Sequence, residues 1–155
     1  MAELRLRATA AGLGRSDRPF ASGTVVLVVD ASVALSASGV EGGFDQLGAG
    51  PWVAPPLMWS EARSVLHEMV WRAEVDPEDA EATRLRLEAC PVRLRRPAQL
   101  GQERWRIADQ FGWARTYDAE HLALGRMLGC RLVTLDRRLR RGAARLGFVV
   151  GPDEL

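Results

Sequence analysis

Four carboxylates carry most of the chemistry this sequence offers. They are Asp30 in "VVLVVDASVAL", Glu61 in "MWSEARSVL", Asp118 in "TYDAEHLALG" and Asp136 in "RLVTLDRRLRR". Each stands where an apolar run ends or an amphipathic one begins. Singly, each has a structural explanation. Asp30 and Asp136 suit helix N-caps, and Glu61 and Asp118 suit first helical turns, where an acid complements the helix dipole. Brought to one place, they repel one another by roughly several kcal/mol in a low dielectric unless cations enter. The chain has no lysine to neutralise them, because all 21 basic residues are arginine. An all-oxygen donor set selects hard divalent cations, Mg²⁺ with Mn²⁺ as a substitute, so the four together read as a metal centre.

That reading depends on elements that bring the acids together. Residues 25–29 are apolar and, Leu27 apart, β-branched, a strand buried on both faces, with Asp30 at its end. A helix follows near residues 32–38, and the Gly-rich segment after it holds at most a helical turn. Residues 52–55 make a second strand. In "SEARSVLHEMVWRAEV", Ala62, Val65, Leu66, Met69 and Val70 fall on one helical face, so Glu61 begins a helix. Asp76 caps a further helix with Pro77 in its first position. "PVRLR" is a third strand and residues 97–111 a helix. The segment containing Asp118 is a helix with Leu122, Leu124, Met127 and Leu128 as its apolar stripe and Gly129 as its stop. "RLVTLD" is a fourth strand, "RRLRRGAARLG" a helix and "FVV" a fifth strand. Strands alternating with helices predict a single α/β domain whose parallel sheet is covered on both faces. Ligands of such sheets bind beyond the carboxyl ends of the strands, where the strand order reverses. With the first and fourth strands as central neighbours, all four acids meet at that edge.

Other chemistries are excluded or weaker. Without lysine there is neither a P-loop nor a phosphoacceptor receiver site. "DAS" lacks the Asp-x-Asp expected of a hydrolase acting on phosphorylated small molecules. Trp71 stands where a zincin helix begun by His67 and Glu68 needs its second histidine. His121 lies one turn from Asp118, within reach of the acids, but reads as a partly exposed helix histidine. The glycine pairs at 12/14 and 48/50 fit no dinucleotide fingerprint. Cys90 and Cys130 have no metal-ligand spacing and read as reduced core thiols. The five tryptophans, Trp52, Trp59, Trp71, Trp105 and Trp113, read as core or interface. Residues 1–23 mix Arg, Gly, Ala and Ser without periodicity and read as a disordered arm, an upstream extension of the start site. No apolar run approaches the roughly 18 residues of a membrane span, so a cytoplasmic location without membrane contact is expected.

"VVDASVAL", "APPLMWSEARSVL", "TYDAEHLALGRMLG" and "RLVTLDRRLRR", in this order, resemble the PIN-domain ribonucleases, most closely the VapC toxins of bacterial toxin–antitoxin pairs. The resemblance implies a PIN-like fold over residues 24–155, with a five-stranded parallel sheet in the order 3-2-1-4-5. It matches Asp30, Glu61, Asp118 and Asp136 to the family's acidic active-site residues, with Asp30 and Asp118 most often the Mg²⁺ ligands. Ser32 and Thr134 match the hydroxyl residues that orient those acids. Where the broader family often carries a further acid, two residues after Asp136, this chain has Arg138. The implied activity is endonucleolytic hydrolysis of RNA, often tRNA, leaving 5′-phosphate and 3′-hydroxyl ends. The implied partners are a cognate antitoxin covering the pocket and a second copy of the toxin, with the aromatics near the second strand supporting an interface or groove. An acidic pocket needs a basic surround to receive RNA, and Arg137, Arg138 and Arg141 beside Asp136 supply it. Arg140 and Arg145 belong to the same run, while Arg93, Arg95 and Arg96 form a second, less placeable patch. The alternative is a catalytically silent PIN module serving as a binding scaffold.

Overall fold

A computed structural model describes residues 20, 21 and 23–155. Its elements in chain order are β1 (Leu27–Val29), α1 (Ala31–Ser38), α2 (Gly43–Gln46), β2 (Trp52–Ala54), α3 (Leu57–Trp71), α4 (Pro77–Glu88), β3 (Val92–Leu94), α5 (Leu100–Phe111), α6 (Tyr117–Leu128), β4 (Arg131–Val133), α7 (Arg137–Gly142) and β5 (Val149–Val150). The five strands form one parallel sheet in the order β3-β2-β1-β4-β5. The chain thus has the α/β architecture and strand order its motifs imply.

Alternation along the central strands divides the core in two. Leu27 and Val29 of β1, with Trp52, Ala54, Val92 and Val133, face α1, α3 and α4 through Val33, Met58, Trp59, Ala62 and Leu87. Val28, Val53 and Leu132 face the opposite way, onto Leu100 and Ile107 of α5, Ala119, Leu122 and Ala123 of α6 and Leu139 of α7. Because β1 is covered on both faces, it is apolar throughout and its first polar residue is Asp30.

Several boundaries differ from expectation for local reasons. The first strand begins at Leu27, where pairing starts opposite Trp52 and Arg131; Val25, outside that ladder, is 71% exposed. On α3 the buried face is Met58, Trp59, Ala62 and Leu66. Val65, expected on it, is 44% exposed and stands at the mouth of the acidic pocket. Glu61 is the fifth residue of α3 rather than its first, because the helix starts directly after Pro56. The last helix is interrupted after Gly142 and resumes as a 3₁₀ turn at Ala144–Leu146. Gly129 ends α6 at φ 63°, a left-handed conformation that glycine adopts without strain.

The arm expected over residues 1–23 lies outside the described residues apart from Phe20, Ala21 and Gly23. Phe20 packs on the second core, with the Arg95 guanidinium 4.8 Å from its ring centroid. Cys90 and Cys130 are free and half-buried, and burial pushes both thiols up, Cys130 to about 11.

Candidate metal centre

Register and capping assemble the site. β1 lies between β2 and β4, so the strand order reverses beside it. The Asp30 amide donates to the Val133 carbonyl at 3.4 Å, continuing the ladder that pairs Val29 with Val133. Asp30 and Thr134 therefore emerge side by side. The carboxylate of Asp30 caps α1, its Oδ1 accepting from the Val33 amide at 3.0 Å and from the Ser32 hydroxyl at 2.6 Å. Its Oδ2 accepts from the Thr134 hydroxyl at 2.5 Å. The Leu135 amide donates to the Ser32 hydroxyl and the Asp136 amide to Thr134 Oγ1, both at 3.0 Å. The two hydroxyls thus tie the ends of β1 and β4 into one network. Asp136 caps α7, with Oδ1 accepting from the Arg138 and Leu139 amides at 2.7 and 3.1 Å.

Asp30, Glu61, Asp118 and Asp136 line one cavity of about 340 Å³, together with Ser32, Leu35, Ser64, Val65, His121 and Leu139. Thr134 lies behind this wall, fully buried. The acids come from four separate elements: the end of β1, the second turn of α3, the first turn of α6 and the cap of α7. Asp30 is buried at 7% exposure, Glu61 and Asp136 are half-buried and Asp118 is the most exposed.

Their electrostatics show that they feel one another. Burial, and then the charges of Asp118, Asp30 and Glu120, push the Glu61 carboxyl up to about 7. Asp118 is also raised, by desolvation at the pocket wall and then by Asp136, against the lowering influence of His121 and Arg138. Near neutral pH the metal-free pocket therefore holds Glu61 about half protonated, and an entering cation would expel that proton.

Among the described residues no three His, Cys, Asp or Glu side chains close around a single point as they stand. The donor set nevertheless fits a hard cation. Asp30 Oδ1 has both lone pairs engaged and Oδ2 one, which leaves a single coordination position on that carboxylate. Asp136 spends Oδ1 on its cap, and its Oδ2 is outside that cap. With Asp30 and Asp136 each offering one oxygen, the wall suits a cation that retains several waters, as Mg²⁺ does.

His121 departs from expectation. It is 2% exposed rather than partly exposed, because α6 lies between the sheet and α5 and is buried all round from Ala119 to Gly125. Its Nε2 is 3.8 Å from Glu61 Oε2 and has no hydrogen-bond partner among the described residues. Desolvation holds its pKa down against the pull of Asp30, Glu120 and Asp118, which favours the neutral imidazole. The sequence signal was Asp-x-x-His, which sets both side chains on one helical face. Glu120, its neighbour, is buried and paired with Arg104.

The arginines separate. Arg138 lines a hollow of about 530 Å³ with Asp118, Trp113 and Arg115, and its charge reaches Asp118. Arg137 and Arg141 line a different depression with Val149 and Val150, where Arg140 is paired with Glu154 and Asp153. Arg115 is a neighbour of the acids that the sequence did not single out.

Comparison with known proteins agrees with this fold. A family model described as "PIN domain" matches residues 27–145, more than half of the chain. No curated protein sequence matches it. The fold is similar to PAE2754 of Pyrobaculum aerophilum, at 20% identity and TM-score 0.68 over 86% of this chain and 94% of that one. It is also similar to a chain of a toxin–antitoxin complex from Klebsiella pneumoniae, at 16% identity and TM-score 0.56 over 81% and 97% of the two chains. A third similar structure is Mycobacterium tuberculosis VapC20, described as a toxin cleaving the sarcin–ricin loop, at 18% identity and TM-score 0.55 over 79% and 96%.

Proposed function

The chain belongs to the PIN-domain family, and from that premise we propose that it is a metal-dependent endoribonuclease of the VapC type, the toxin of a toxin–antitoxin pair. The observation that carries this is one cavity lined by carboxylates from four elements, beside the point where the sheet's strand order reverses. Asp30 and Asp118 are the principal ligands, with Glu61 and Asp136 completing the site. Ser32 and Thr134 hold the Asp30 carboxylate in one orientation, as outer-shell partners of ligands do. When bound, Mg²⁺ or Mn²⁺ supplies charge stabilisation to a phosphodiester and activates water. No Ser or Cys nucleophile is needed, and the products carry 5′-phosphate and 3′-hydroxyl ends. Arg138, beside Asp118, receives the RNA backbone next to the pocket, and Arg137 and Arg141 extend the basic surface away from it.

The substrate class is RNA, with tRNA among the candidates, and the partners are a cognate antitoxin and a second copy of the chain. The similarity to a toxin–antitoxin complex and to a toxin described as cleaving the sarcin–ricin loop supports the antitoxin partner and a nucleic-acid substrate. No helix among the described residues is long and apolar enough to cross a membrane, and the proposed place of action is the cytoplasm, where RNA is.

The test is cleavage of RNA by the purified protein with Mg²⁺ or Mn²⁺, with EDTA, and after Asp30→Asn or Asp118→Asn. Cleavage only with metal and with both acids intact is expected. Activity surviving EDTA, or undiminished by either substitution, would overturn the mechanism, and RNA left intact under every cation would favour the silent scaffold. Growth arrest on expression, relieved by a small protein encoded next to the gene, tests the toxin assignment.

A further inference from the structure

Resting on the metal-centre reading of the pocket, we propose that His121 is a ligand of the same ion, supplying through Nε2 the one nitrogen among otherwise oxygen donors and giving the site a preference for Mn²⁺ over Mg²⁺.

The argument begins from an orphan. His121 is 98% buried and lines the acidic cavity, yet its Nε2 has no hydrogen-bond partner among the described residues. Buried polar atoms are almost always paired, so an unpaired one needs a reason. The other ring nitrogen is accounted for, because the ring hydrogen-bonds the Tyr117 backbone, one turn back on α6. In the tautomer protonated at Nδ1, which that contact favours, Nε2 carries a bare lone pair. That is how ligating histidines are usually held, with the second nitrogen tied to a carbonyl or carboxylate.

The Glu61 Oε2 oxygen is 3.8 Å away. That is too far for a hydrogen bond, but two coordination bonds of about 2.1 Å each span it. Asp118 begins the same helical face, so α6 presents a carboxylate and an imidazole three residues apart to one cavity. Mg²⁺ favours oxygen and dehydrates reluctantly, whereas imidazole nitrogen suits transition metals better. One nitrogen inserted among carboxylates moves the site along that scale, towards Mn²⁺.

Pulsed EPR of the full-length protein loaded with Mn²⁺ reads the ligand directly. The expected result is a ¹⁴N coupling that becomes a ¹⁵N coupling when the protein is grown on ¹⁵N-histidine, which needs no variant and no folding control. The coupling disappears in His121→Gln and persists in His67→Gln, a change at the chain's other histidine, exposed on α3. By titration calorimetry, His121→Gln narrows the Mn²⁺/Mg²⁺ affinity ratio by about tenfold or more. Mn²⁺ bound without nitrogen coupling, or a coupling that survives His121→Gln, would overturn this proposal and leave the acidic centre standing. No Mn²⁺ binding at all, or binding indifferent to Asp30→Asn, would overturn both.

Discussion

The two ends of the parallel sheet make an instructive pair. At the carboxyl ends of the strands lies the acidic cavity of about 340 Å³. At the amino ends lies a hollow of about 810 Å³, lined by Val25, Val26, Leu27, Leu128, Phe148 and their neighbours, with Arg126 and Arg131 as its charged side chains. The larger space has the poorer chemistry. In a parallel sheet every strand points the same way, so every strand-to-helix turn falls at one end. Capping and first-turn positions favour Asp and Glu there, because helix N-termini carry partial positive charge. The amino end receives helix C-termini instead, here Gly129 and Cys130 before β4. Polarity of the strands, not volume, decides where chemistry gathers.

The sharpest way to break this comparison is to remove an acid at one end and a charge at the other. Asp30→Asn or Asp118→Asn is expected to lower the initial rate of RNA cleavage by about 10²–10³-fold, the scale of losing one preorganised charge contact. Arg131→Ala at the amino end should leave that rate within about twofold. Equal losses at the two ends would dissolve the distinction.

A smaller effect is expected one layer behind the pocket. Thr134→Val keeps the shape of the side chain but removes the hydroxyl bound to Asp30. Mn²⁺ affinity by calorimetry should fall by about 10–100-fold, as for other outer-shell partners. Unchanged affinity would mean that Asp30 needs no such restraint.

Glu61 makes the pocket sensitive to pH. Its folded-state pKa, about 7, lies above the ordinary value of 4.5. Between those values the folded chain holds a proton that the unfolded chain has lost. Metal-free stability is therefore favoured below about pH 4.5 and falls as pH rises to about 7, by on the order of 1–3 kcal/mol after solvent screening. Melting temperatures in EDTA should fall across that window, and Glu61→Gln should flatten the fall. Added Mn²⁺ should restore most at the alkaline side. A wild-type curve as flat as the variant's would remove Glu61 from the electrostatic account.

The mildest prediction divides the arginines. Arg138→Ala should weaken RNA binding less than tenfold and reduce the slope of log affinity against log salt by about one. Arg137→Ala and Arg141→Ala, in the separate depression, should change that slope less. A larger change from Arg137 would move the RNA path to the β5 side.

Much of this frame was legible before any coordinates. An apolar run that stops at Asp30, helix starts at "YDAEH" and "DRRLRR" and the alternation of elements determined a parallel sheet with acids at one edge, because side-chain periodicity and capping chemistry are local. The sheet order came with the family motifs. Less legible were contacts that local pattern does not encode. Val65 matched the apolar stripe of α3 and yet faces the pocket, since only packing against α1 and α4 selects which arc of that helix is covered. His121 matched a half-exposed position, and the layering of α6 between sheet and α5 buried it. The sequence by itself determined which residues stand at the carboxyl edge, because strand ends and helix caps are written in short stretches of chain. Only the tertiary structure decided that Ser32 and Thr134, 102 residues apart, share one carboxylate, and that an imidazole with a bare nitrogen stands beside Glu61. Those contacts depend on which strand lies next to β1 and which helix lies over α6, and such neighbours are chosen by the whole core at once.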